Sequence, residues 1–101
     1  MTSPAGADPV LLVRIPLRSS TGAAGTEGGA NLLQDALWAH ARPPHALEHV
    51  RVRPQPRGMH VALFVRAADP AAAAHQAYGL LALALAAGAA RGHRPGPPAC
   101  A

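Results

Sequence analysis

The stretch HALEH, His45 to His49, has the spacing H-x-x-E-H, in which two imidazoles hold zinc and the glutamate acts as base. That chemistry needs both histidines on one helical face and a further acidic ligand downstream. After Glu48 the only acidic side chain is Asp69, which stands at a helix-cap position. Pro43-Pro44 before the motif and Val-Arg-Val-Arg after it favour extended backbone. There, residues four apart are separated by roughly 13 Å, too far to share one ion. The match is read as accidental, and no metal site is expected. His40 lies near the apolar stripe of a helix, where a histidine is usually a locally bonded core-edge residue. With five acidic residues and scattered serines, no acid–base pair or nucleophile triad can be assembled. No catalytic set and no cofactor are expected.

The glycine-rich segment SSTGAAGTEGGA, residues 19–30, lies between a strand and a helix, where phosphate loops lie. A Walker loop needs lysine and a hydroxyl after its last glycine, and this chain has no lysine. The glycine spacing also misses the dinucleotide fingerprint, and Glu27 would repel a phosphate. A flexible connector is the expected role. Arg57-Gly58 opens a strand as in the main motif of single-stranded RNA-binding domains, which requires aromatics at the third, fifth and eighth positions. RGMHVALF supplies Phe64 alone; Met59 and Val61 occupy the other two places. Aromatic residues are 3% of the chain, so base stacking has little to work with. Arg57-Gly58 reads more simply as the end of a hairpin loop.

All nine basic residues are arginine, and the net charge is +4. Such a balance points toward nucleic acid or an anionic membrane. Heavy use of Ala, Arg, Gly and Pro, however, suggests a GC-rich genome, such as an actinobacterium's, in which arginine is simply the cation that codon bias supplies. The one cysteine, Cys100, forms no internal disulfide, misses the prenylation position and is expected to be an exposed tail thiol. MTSPAGADP lacks the features of a secretory signal, so a cytoplasmic location is expected. Residues 71–90 carry no formal charge, but they are alanine-rich and include His75 and Gln76; a membrane span is not expected.

The elements that would position these residues follow from hydrophobic period. Val10 to Arg18 alternates as a strand, with Leu11, Val13, Ile15 and Leu17 on one face and Leu12, Arg14 and Arg18 on the other. Pro16 cannot donate to a ladder, so at least that end belongs at an edge. Residues 31–42 have helical spacing. Leu47–Arg53 and Met59–Arg66 form two further strands, and a long helix starts at Pro70 with Asp69 as its cap. Residues 1–9 are expected to be flexible, 10–90 to form one domain, and 91–101 to be a disordered Pro/Gly-rich tail.

The fold class is therefore α+β: a βαββα open sandwich, with a three-stranded antiparallel sheet and two helices on one face, ferredoxin-like but lacking the last strand. In that arrangement the first strand has an unpaired edge, which a second copy of the chain would cover. Pairing Val52 with Val61 sets Arg53 opposite His60 and His49 opposite Phe64. The outward face then collects Leu12, Arg14, His49, Arg51, Arg53, His60, Phe64 and Arg66 as an interface. Arginine among apolar groups suits a protein contact. The expected function is a small non-enzymatic binding or regulatory module, homodimeric through its sheet. A nucleic-acid-binding protein is one alternative. Another is a small dimeric α/β-barrel enzyme with His40, His49 or His60 as base. Trp38 faces away from Leu33 and Leu37, toward either a partner or the loop.

Overall fold

The computed structural model describes residues 8–97 and the backbone of residues 99 and 100. The expected flexible start lies mostly outside the described residues, as does the side chain of Cys100. The elements are β1 (Val10–Ser19), α1 (Glu27–His40), a 3₁₀ turn (Pro43–His45), β2 (Leu47–Gln55), β3 (Gly58–Arg66), α2 (Pro70–Ala86), β4 (His93–Pro95) and β5 (Ala99–Cys100). The sheet runs β2-β3-β1-β4, every neighbouring pair antiparallel, with β5 also on β1.

Strand alternation builds the core. Val13, Ile15 and Leu17 of β1, Val50 and Val52 of β2, and Met59, Val61, Leu63 and Val65 of β3 all point to one face and are buried. They meet Leu33 and Leu37 of α1 and Ala77, Leu80 and Leu81 of α2. Ala73, Ala77 and Ala84 of α2 are buried against the core, and Leu80 and Leu81 supply that helix's bulk.

Each helix starts at a side-chain cap. The Asp69 carboxylate accepts from the Ala72 amide at 2.8 Å, and Pro70 takes the first helical position, as expected. The first helix begins at Glu27 rather than Asn31. The Thr26 hydroxyl accepts from the Gly29 amide at 3.0 Å, which carries Gly28 and Gly29 into the helix despite their low propensity. The glycine-rich connector is thus shorter than expected. Gly88, at φ +99°, stops α2 short of Ala90. Among the described residues, no helix is long and apolar enough to cross a membrane.

The expectation of three strands is corrected, and so is that of a missing last strand. The fourth strand comes from the segment read as a disordered tail. β4 pairs with Leu17–Ser19, and β5 pairs with Val13 and Arg14 on the same edge of β1, one extra residue being taken up between them. Together they act as one interrupted edge strand. The Gly96 amide donates to the Pro16 carbonyl at 2.7 Å within the interruption. The expectation that the Pro16 end of β1 lies at an edge is corrected, since Leu17–Ser19 pair with β4. Pro16 instead turns its missing donor toward the interruption between β4 and β5, where no ladder bond is lost.

The opposite edge, β2, is managed differently. Gln34 of α1 reaches across so that its Oε1 accepts from the Val52 amide at 3.1 Å. The Gly25 amide donates to the Gln55 carbonyl at 2.8 Å. Pro54, two residues beyond Val52, removes the next outward donor. Neither edge is left as a long open template.

Gly58 answers the question raised by Arg57-Gly58. A Cβ there would overlap the backbone carbonyl of Leu17, and one on Gly25 would overlap the carbonyl of Gly58. Three backbone segments are stacked at this end of the sheet, and only glycine permits the approach.

Candidate functional site: the outer face of the sheet

Outward residues of the three long strands fall in lateral rows, because directly paired residues share a face. His49, Phe64 and Leu12 form one row; Arg51, Ala62 and Arg14 the next; Arg53, His60 and Pro16 the third. The expected pairing of Val52 with Val61 is the observed register, with Arg53 opposite His60 and His49 opposite Phe64. It holds down to a bulge between Leu47 and His49.

Rows one to three enclose a trough of about 380 Å³ lined by Leu12, Arg14, His49, Arg51, Arg53, His60, Ala62 and Phe64. Ala62 is the only small side chain in the middle row, so it makes the floor, with a guanidinium-bearing strand on either side. At one end the rings of His49 and Phe64 lie 5.6 Å apart, tilted by 46°. Leu12 flanks Phe64 on its other side, giving that end an apolar wall. The opposite end is basic.

Seven of the eight residues expected at this surface line the trough. Arg66 does not. Its Nε lies 3.3 Å from Glu48 Oε2 and its Nη1 donates to the Asp8 carbonyl at 2.9 Å, which ties it to the rim. Both side chains of that pair are well exposed, so it contributes little to stability. Glu48 is thereby engaged with a cation at the edge. His45 sits in the 3₁₀ turn, its Nδ1 accepting from the Arg42 amide at 3.0 Å, while His49 lies on β2. HALEH is divided between two elements. Among the described residues, no three His, Cys, Asp or Glu side chains group to hold a metal ion.

No family model, curated protein or solved structure matches this chain. The site must speak through its own chemistry.

The trough has no carboxylate in its lining. Among the described residues, Arg14, Arg51 and Arg53 have no acidic side chain within ion-pair distance. The chain's acids lie elsewhere: Glu27 and Asp35 on α1, Glu48 on the rim, Asp69 at the cap of α2, and Asp8 before β1. Two basic residues of this face fell outside the expected set. Arg18 continues the outward row of β1, and Arg94 of β4 pairs directly with it. Arg18 was legible from alternation alone; Arg94 was hidden in the tail.

Trp38 and Leu32 on α1, and Leu83 on α2, are exposed on the helical side. They lie on the far layer from the trough and play no part in it.

Proposed function

We propose that this chain is a small binding module without chemistry of its own, which holds an anionic ligand on the outer face of its sheet. The observation that carries this reading is the middle row. Arg14 and Arg51 stand either side of Ala62, in a concave site that contains no acid. Guanidinium groups gathered without counter-charges repel one another, and an anion bound between them relieves that repulsion through charge-assisted, bidentate hydrogen bonds. The trough lies within the size range of small-ligand sites. A preference for arginine over lysine would not by itself leave the trough lining without Asp or Glu.

Self-association through the same face is the competing reading, favoured by the apolar row of Leu12 and Phe64. Its original support was the open edge of β1, which β4 and β5 occupy. A two-fold contact would also set these arginines against their own copies, at a cost of like-charge repulsion.

One experiment separates the two. Inorganic tripolyphosphate is expected to raise the melting temperature of the wild type, with light scattering reporting a monomer throughout. The R14Q/R51Q double variant should fold alike by circular dichroism and lose the shift. A wild-type dimer indifferent to tripolyphosphate would give the face to self-association.

A further inference from the structure

The basic surface continues beyond the trough. Along β1 the outward positions are Leu12, Arg14, Pro16 and Arg18, which span about 20 Å at a strand's rise per residue. The fourth row places Arg94 directly opposite Arg18. Two like charges in that relation destabilise a sheet. No carboxylate among the described residues lies within ion-pair distance of either. Arg57, at the tip of the β2–β3 hairpin, shares a surface depression with Arg18 and Ser19. Cations therefore follow the strand from the middle row to the hairpin end, and the apolar His49–Phe64–Leu12 row closes the other end.

A single small anion would use one of these rows and leave the others in repulsion. A chain of regularly spaced charges would use all of them. We propose, resting on the anion-binding reading above, that the ligand is a single-stranded nucleic acid laid along β1 and β3. Its phosphates sit on Arg94, Arg18, Arg53, Arg14 and Arg51, and one unpaired base sits against Phe64. Charge complementarity selects the polyanion, and the aromatic end selects the strandedness. A base offers its flat face to Phe64 only when it is free of a duplex. The carboxylates of an acidic peptide would meet the same arginines but bring no flat face to the tilted His49–Phe64 pair. With one phenylalanine on the surface, stacking is limited to one base. Binding is then mainly electrostatic, tolerant of sequence and steep in salt.

The test is fluorescence anisotropy with a labelled eight-nucleotide oligo(U), repeated from 50 to 200 mM salt. A duplex of equal length and unlabelled inorganic polyphosphate serve as competitors. Five phosphate contacts predict a slope of log K against log salt near −3.5, at about −0.7 per contact on a single strand. R18Q/R94Q should lower its magnitude by about 1.4. F64L should weaken binding roughly tenfold with the slope unchanged, since it removes a stacking surface and no charge. Circular dichroism and melting curves confirm that both variants fold. If polyphosphate displaces the oligomer phosphate for phosphate and F64L binds like the wild type, the base contact does not exist. The inference is then overturned while the anion-binding reading stands. A duplex bound as tightly as the single strand also overturns it. Failure of oligo(U) and polyphosphate alike removes both readings.

Discussion

The two faces of one sheet obey opposite rules. Along β3, Met59, Val61, Leu63 and Val65 turn inward and are buried, while His60, Ala62, Phe64 and Arg66 between them turn outward and remain partly accessible. The inward set is uniformly apolar and chosen by packing. The outward set mixes a basic, a small, an aromatic and a second basic residue, a composition no packing requirement selects. Backbone, register and neighbours are the same for both, so the difference isolates what folding demands from what it leaves free. Folding uses the inner face to choose the register, and the register then lines up the outer residues in rows.

That contrast predicts a graded set of effects. The largest belongs to the inner face and its end. Leu63→Ala should cost about 2–5 kcal/mol, measured by urea denaturation, because the site is fully enclosed and collapses poorly. Gly58→Ala should be of comparable severity, since the added methyl meets the rigid Leu17 carbonyl. If Gly58→Ala melts like the wild type, the three stacked backbones do not constrain one another. Asp69→Ala, which touches neither face but removes the cap of α2, should cost about 1 kcal/mol. The smallest effect has the opposite sign. Arg94→Gln should leave stability unchanged or raise it by a few tenths of a kcal/mol at low salt, through relief of the repulsion with Arg18. A clear loss of stability in Arg94→Gln would mean that the outer face is also a folding element, and the contrast would fail.

How much of this was legible depends on where burial enforces a pattern. The β2–β3 register could be read from Val50, Val52, Val61 and Leu63, since a one-residue slip would turn one strand's pair of them to solvent. Five trough residues, His49, Arg51, Arg53, His60 and Phe64, followed from that register, and Leu12 and Arg14 from the alternation of β1. The start of α1 was missed because Gly28-Gly29 looks like a loop; the Thr26 cap three residues before Gly29 was the available signal. The fourth strand left no mark of its own. RGHRPGPPA has no alternation and three prolines, and within it His93–Pro95 is a strand because β1 offers an edge to pair with. Arg94 went with it. Pairing that depends on a distant partner is not written in the local pattern of either segment.

The late position of that edge strand has a consequence in time. β1 is synthesised before its outer partner, His93–Pro95, which follows roughly 75 residues later, about 4–15 s at ordinary elongation rates. For those seconds the nascent strand has no intramolecular neighbour on that side, and Pro16 is the one residue in its middle that cannot donate to an unwanted one. A proline that costs the finished ladder no bond thus guards the strand while the ribosome is still at work.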